Sequence, residues 1–325
     1  MYSRIRPIAM EEGIIFSPQY AYIRGRQLEG TYPGDRWTGI WPVTALRVGH
    51  GWGSVPEDRW PYDTSVWPPV EPPGLDAIAK NYRLNTYYRR ARTMDDCRGV
   101  LQHVPVMTVL ELTDEWHNPL QGRIRSVRRR RLGTSHSVLL MGYDDIKREF
   151  SFQNSWGAEW GDRGYGHIAY DVFRETCIES WAQMPGGNRL WADPKDGIAL
   201  RSWGLKDNAT GGTIHGCELV GPGEERRAWS YAVEANGNLE VEELFVMPQY
   251  KRKGYGTELL HGMRLVASRL DAPLRLWISH ADANLDNMRV VNQLLRNSGL
   301  KIAASQERWA GHSADETSPT LRRIS

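Results

Sequence analysis

The stretch Gly133-Thr-Ser-His136-Ser-Val-Leu-Leu-Met-Gly-Tyr143-Asp-Asp145 decides how the first half of this protein folds, together with its continuation Phe152-Gln-Asn154-Ser-Trp156-Gly157 and Trp160-Gly-Asp-Arg-Gly164-Tyr-Gly166. A histidine opens the apolar run Val138 to Met141, the pattern of a buried strand. Gly142-Tyr-Asp-Asp145 is a turn signal. Glu149 to Gln153 is expected as the return strand, closed by Asn154. Such a hairpin brings His136 and Asn154 together at its open end, where an amide oxygen can hold an imidazole base in one tautomer. Taken alone, two hydrogen-bonded polar residues in a sheet are the simpler account, because buried polar groups need partners in any case.

The surrounding motif favours the chemical account. The run resembles the His and Asn blocks of papain-like cysteine peptidases, "GHAV…VGYD" followed by "NSWG…WG…GYG", over roughly forty residues. The resemblance implies that His136 is the general base, that Asn154 orients it, and that Trp156 covers the Asn154 side chain.

The chain has 325 residues, a net charge of +2, and apolar and charged fractions of 40% and 25%. These values suit a globular protein of two domains and point to no particular partner. Cys97, Cys177 and Cys217 form neither a metal spacing nor a disulfide framework, so no metal and a reducing, cytoplasmic setting are expected. No apolar run approaches a membrane span, and residues 1 onward lack a signal-peptide core. Several of the 14 tryptophans fall in the peptidase-like motifs, and they are expected in core and cleft.

Ile5, Ile8, Ala9 and Glu12 follow helical spacing, with Gly13 as a stop. Ala9-Met10-Glu11 and Ser17-Pro-Gln-Tyr20 match the papain family's "ALE" and "LSPQYLY" segments. The family's nucleophilic cysteine would fall around or just before Met1, and no cysteine precedes Cys97. Cys97 itself lies in a segment resembling a remote helix of the family, where a packed thiol is expected. Gly51-Trp-Gly-Ser-Val55-Pro-Glu57 and Trp60-Pro-Tyr62-Asp63 resemble "GV.pE…wPYd". Val43 to Val48 is expected as helix and Tyr82 to Tyr88 as an edge strand. Arg123, Arg125 and Arg128 to Arg131 form a basic cluster; a solvated loop or a patch for acidic peptides both explain it, and nucleic acid is not expected. The linker candidate Met184-Pro-Gly-Gly-Asn188 places a boundary between residues 1–184 and 185–325.

The second half reads as strands at 197–204, 213–220 and 228–235, an Asn236-Gly237 hairpin turn, and a strand at 239–246. Gln249-Tyr-Lys-Arg-Lys-Gly-Tyr-Gly-Thr257 then enters an amphipathic helix carrying Leu259, Leu260, Met263, Val266, Ala267 and Leu270 on one face. A strand, a basic glycine loop and a helix N-terminus make an anion site, or else an ordinary strand-to-helix turn. The segment Glu243 to Leu260 resembles the acetyl-CoA signature of GNAT-type N-acetyltransferases, "V.P.yRgkGiG..Ll", and the likeness extends over roughly 196–303. It implies an α+β chain in which a papain-like two-lobed domain precedes a mixed α/β GNAT domain. Acetyl-CoA would be the cofactor. Its pyrophosphate would rest on Lys251, Arg252, Lys253, Gly254, Tyr255, Gly256 and Thr257, and its pantetheine on the backbone of Phe245 and Val246. Asn284 would hold a water or the cofactor. Glu242 and Glu243 are either base candidates or ordinary solvent-facing strand residues. The chain departs from the family at Lys251, where Arg or Gln is usual, at Leu295, where a tyrosine is common, and in its abbreviated acceptor-binding helices.

Three functions stay open. The first is an acetyl-CoA-dependent N-acyltransferase whose papain-like domain is proteolytically inactive as written and binds a peptide or protein substrate, with a small amine as another acceptor. The second is a bifunctional enzyme whose nucleophilic cysteine lies upstream of Met1. The third is a non-enzymatic adaptor.

Overall fold

The computed structural model describes residues 13–84, 87–126, 131–184, 197–207, 211–277, 279, 282, 289–294 and 303–305. In chain order the helices are α1 (Pro18–Leu28), α2 (Pro42–Gly51), α3 (Leu75–Ala79), α4 (Met94–Leu101), α5 (Tyr170–Thr176) and α6 (Tyr255–Arg269). The strands are β1 (Tyr88–Arg90), β2 (Val106–Thr113), β3 (Arg123–Ile124), β4 (Arg131–Asp144), β5 (Glu149–Gln153), β6 (Tyr165–Ala169) and β7 (Cys177–Gln183), then β8 (Ala199–Lys206), β9 (Thr213–Gly221), β10 (Glu225–Ala235), β11 (Asn238–Val246), β12 (Leu274–Trp277) and β13 (Ala303–Ser305). The described residues form two compact units, one of 13–87 with 197–305 and one of 88–184. The first unit thus joins residues from both sides of the boundary expected at 184.

The 88–184 unit is built on a seven-stranded sheet in the order β1-β7-β2-β4-β5-β6-β3. The expected β4–β5 hairpin is present, with β4 longer than the apolar run suggested. Strand pairing runs through most of the expected Gly142–Asp145 turn, since Asp144 still pairs with Glu149. The chain reverses only beyond it, where Asp144 Oδ1 accepts the N–H groups of Ile146 (3.0 Å) and Lys147 (2.9 Å). A carboxylate that bonds its own turn in this way can cap a hairpin without glycine.

The other unit has a six-stranded sheet, β13-β12-β11-β10-β9-β8. Its β10–β11 hairpin turns at Asn236-Gly237, both with positive φ (50° and 72°), as the dipeptide predicted. One face is covered by α6, whose Leu259, Met263, Val266 and Ala267 form a core with Leu219, Ala228, Ala232, Val241 and Leu276. The other face receives α2. Pro42 opens this helix at its first turn, where no N–H is needed, and all ten of its residues are buried. Alternation along β11 turns Glu243 and Phe245 toward α2. Arg47 bonds Glu243 through Nη2 (2.8 Å) and Asp282 through Nη1 (2.9 Å), and its guanidinium lies 4.9 Å from the Phe245 ring centre. His50 Nε2 meets the Tyr231 hydroxyl at 2.8 Å, and that hydroxyl donates to Glu218 (3.1 Å). Gly51 sits so close to Met247 and Trp229 that a side chain there would collide with both.

Several expectations change. Tyr82 to Tyr88 is not one strand: Lys80–Tyr82 is a 3-10 turn, and among the described residues pairing begins at Tyr88. Glu242 and Glu243 are not solvent-facing, being 5% and 2% exposed. The segment Ile5 to Glu12, most of the 184–188 linker, Arg128 to Arg130, Asn284 and Leu295 lie outside the described residues.

Arg47 and Glu243 are 4% and 0% exposed in their side chains, so removing one strands the other's charge in the interior. Arg47→Ala should therefore cost about 3–5 kcal/mol in denaturant unfolding. The double change Arg47→Met with Glu243→Leu should recover much of that loss. A single-variant loss below about 1 kcal/mol would contradict a buried ionic anchor.

Candidate active sites

The first site follows from strand register. Leu139 pairs with Gln153 and Leu140 with Phe152, which sets Asn154 opposite Val138, on the face that His136 shares two residues away. The diagonal closes: His136 Nε2 and Asn154 Oδ1 are 2.8 Å apart. Asn154 Oδ1 also accepts the Ser155 N–H at 2.8 Å, which identifies it as the oxygen independently of the histidine. Nε2 must then donate, and in the neutral ring the lone pair falls on Nδ1. No hydrogen bond engages Nδ1 among the described residues. Trp156 lies over the imidazole with ring centres 4.6 Å apart and an interplanar angle of 33°. Trp116 supports both, 6.4 Å from His136 and 6.0 Å from Trp156, and its carbonyl accepts the Trp160 Nε1–H (2.8 Å). Sequence reasoning found His136, Asn154 and Trp156 but not Trp116, which lies outside the motif and carries no local signal.

Burial pushes the His136 pKa below its ordinary value, and the Asn154 hydrogen bond only partly opposes this. The pair is therefore a neutral base whose Nδ1 carries the lone pair. All three cysteines are buried. Cys177 and His136 both stand across from Leu110, on opposite sides of β2, so their backbones are two strand spacings (about 10 Å) apart. Burial pushes the thiol of Cys97 up to about 12 and that of Cys217 up to about 11, which makes them packing groups, not nucleophiles.

The second site is a cavity of about 1150 Å³ within the other unit. Its wall includes Glu242 to Val246 of β11, the loop residues Lys251, Arg252 and Gly254, and Tyr255 to Thr257 at the start of α6. Two features open it. Among the described residues β11 pairs with β12 from Leu239 to Val241, and Glu242 to Val246, beyond that pairing, line the cavity. The register between β10 and β11 skips Glu242, making it the extra residue of a bulge. Arg252 (φ 63°) and Gly254 (φ 83°) turn the loop so that Gly254 caps α6. The first N–H to return to the helix is that of Glu258, bonding the Gly254 carbonyl at 3.1 Å. The N–H groups of Tyr255, Gly256 and Thr257 precede the intrahelical ladder, the arrangement that suits an anion.

The structure thus brings Phe245, Val246, Lys251, Arg252, Gly254, Tyr255, Gly256 and Thr257 to one cavity. Lys253 stays beside it, its ammonium 5.3 Å from the Tyr250 ring centre. Glu242 and Glu243 line the same cavity, with Glu243 engaged by Arg47. Not foreseen from sequence are Gln27 to Gly30, Thr44 and Arg47, which close the cavity from the helical segment. An arginine and a histidine three residues apart inside an apolar helix were the available signal, because buried charge needs a partner.

Comparison with known proteins bears on the first site. Residues 41–185 match the family model of the papain family cysteine proteases. A cysteine protease of Blomia tropicalis is 28% identical over 125 residues, covering 36% of this chain and 35% of that protein. An uncharacterized peptidase C1-like protein of Acanthamoeba polyphaga mimivirus is 25% identical over 175 residues, covering 50% of this chain and 55% of that one. The chain therefore spans roughly a third to a little over half of the length of these relatives. Among solved structures, xylellain, a cysteine protease from Xylella fastidiosa, is 25% identical with a TM-score of 0.48, covering 56% of this chain and 76% of that one.

The state of His136 can be checked by NMR titration. Its pKa should fall below 6.5, with the Nε2–H tautomer dominant at neutral pH. Because the Asn154 bond favours the charged ring, Asn154→Ala should lower the pKa further; a rise would contradict the arrangement. The stability sign follows. The folded pKa is depressed, so the unfolded chain takes up the proton first. The contribution is fully present above about pH 6.5 and is lost as pH falls toward the folded value. Residues 41–185 carry a papain-like domain of the C1 peptidase type.

Proposed function

We propose that the protein is an acetyl-CoA-dependent N-acyltransferase whose GNAT-type site is the cavity of the 197–305 sheet, closed by residues of the 13–87 segment. The observation that carries the reading is the convergence, on one cavity, of the C-terminal half of β11 with a basic loop at a helix N-terminus. The donor set fits the group. The backbone of Phe245 and Val246, which has no ladder partner on the β12 side among the described residues, suits an extended amide-bearing chain, as in strand addition. The leading N–H groups of α6, with Lys251 and Arg252, offer charge and donors to a pyrophosphate.

When bound, acetyl-CoA supplies an acyl group activated as a thioester. The protein's part is to exclude water, orient the acceptor amine and take its proton. Glu242, at the bulge and lining the cavity, is assigned that proton; Glu243 is committed to Arg47. Calorimetric titration with acetyl-CoA should show binding that Gly254→Asp abolishes. That change adds a negative charge to the anion site and forces a side chain into φ 83°. Binding that is equally strong in the variant would remove the loop from the site.

A second reading concerns the papain-like domain, favoured by the 2.8 Å His136–Asn154 pair under Trp156. Here His136 Nδ1 takes the proton of a cysteine thiol supplied outside the described residues, and the thiolate attacks a peptide carbonyl. Peptide hydrolysis sensitive to thiol alkylation should then fall about 100-fold or more in His136→Ala. Hydrolysis unchanged in that variant would exclude the dyad.

A further inference from the structure

Arg47 comes from outside the sheet and holds two carboxylates of the cavity wall at once. Its Nε and Nη2 donate to the two oxygens of Glu243 (3.2 and 2.8 Å), and its Nη1 and Nη2 donate to the two oxygens of Asp282 (2.9 and 2.6 Å). Every nitrogen is engaged and Nη2 serves both anions, a geometry that needs the planar fork of arginine. The two anions belong to different parts of the wall. Glu243 is on β11 beyond its last described pair with β12, Val241–Leu276, and Asp282 lies beyond the end of β12 at Trp277. Their side chains are 0% and 29% exposed, so without Arg47 they would repel each other with little screening by water. Each also touches a part of the site assigned to acetyl-CoA. The guanidinium lies 4.9 Å from the ring centre of Phe245, whose backbone is assigned to the pantetheine. Asp282 stands near enough to Lys251 of the phosphate loop to feel its charge. Burial raises the Asp282 pKa, while Arg47, Ser279 and Lys251 together hold it below its ordinary value. Ser279 Oγ donates to Asp282 at 2.6 Å and lines the same cavity. Pinning α2 to β11 requires Glu243 alone. The bond to Asp282 does something further: it ties that strand to the side of the cavity where the phosphate loop lies.

We propose that Arg47 is a positioning residue for the cofactor: by clasping Glu243 and Asp282 it fixes the spacing between the pantetheine strand and the phosphate-loop side of the cavity, so that acetyl-CoA binds tightly only with α2 in place. The proposal rests on the acyltransferase reading and names what controls that site. The 13–87 segment carries no part of the acetyl-CoA signature, yet through Arg47 it governs cofactor affinity. Linkage makes the effect reciprocal, so the bound cofactor tightens α2 on the sheet.

The test is calorimetry with acetyl-CoA on the full chain and on its Asp282→Ala and Arg47→Lys variants, with amide exchange of α2 followed in the presence and absence of acetyl-CoA. Asp282→Ala keeps the buried Arg47–Glu243 pair, so α2 stays docked. It also removes a negative charge near the phosphate loop, which by charge alone would tighten the binding of an anion. The clasp predicts the opposite sign, an affinity about tenfold weaker or more. Arg47→Lys keeps a cation for Glu243 but cannot engage both carboxylates as a fork, and it should weaken acetyl-CoA binding by a similar factor. Saturating acetyl-CoA should slow α2 exchange about tenfold or more in the unaltered chain, and this slowing should be lost in Asp282→Ala. An affinity unchanged or tightened in Asp282→Ala, or α2 exchange indifferent to acetyl-CoA in the unaltered chain, would overturn the clasp and leave the cofactor site standing. No binding of acetyl-CoA by the unaltered chain would overturn the acyltransferase reading, and the role of Arg47 with it.

Discussion

The structure depends on how the charge of Arg47 is accommodated. A guanidinium taken out of water costs several kcal/mol, and only close counter-charges with good geometry recover that cost. Glu243 and Asp282 supply them, and Phe245 adds its ring face. The ion cluster fixes α2 against β11 in one register and at one height along the strand. It also positions Thr44, one helical turn earlier, on the cavity wall. Apolar packing alone would hold the helix to the sheet but would leave it freer to slide, because hydrophobic contact is not directional.

The same desolvation decides the state of the histidines, with the opposite result. Arg47 keeps its charge because two carboxylates accept it. His50, buried beside Tyr231, Trp229 and the positive field of Arg226, is held well below its ordinary pKa. His136 is displaced in the same direction. Both rings are neutral at pH 7, but they differ in use. His50 belongs to a buried chain, His50–Tyr231–Glu218, that joins helix to sheet. His136 has one nitrogen fixed by Asn154, and no hydrogen bond occupies the other among the described residues, the condition of a base.

Much of the local structure was legible in the sequence because its causes are local. A continuous apolar run and an Asn154 one residue past the return strand foretold the His136 pair, and Asn236-Gly237 foretold its hairpin. The amphipathic face of α6 came from spacing alone. What could not be read came from contacts far apart in the chain. Arg47 and Glu243 are separated by 196 positions, so nothing near either residue announces the other. Glu242 and Glu243 looked like candidates for a solvated strand face; a bulge and a covering helix bury both. The apolar run of β4 ends at Met141, whereas pairing with β5 carries the strand to Asp144 and moves the turn. Thr44 and Glu29 gave no signal, because only folding brings them to the cavity wall.

The central claim is that residues 13–87 depend on the 197–305 sheet for their structure. It is tested most directly by hydrogen exchange on α2, comparing the full chain with a chain ended after Met184. In the full chain the α2 amides should exchange only with the opening that also releases β10 and β11. In the shortened chain Arg47 and His50 lose their partners, and the α2 amides should exchange at least a hundredfold faster. Equal protection of α2 in both chains would show that the helical segment folds without the sheet, and would contradict the account.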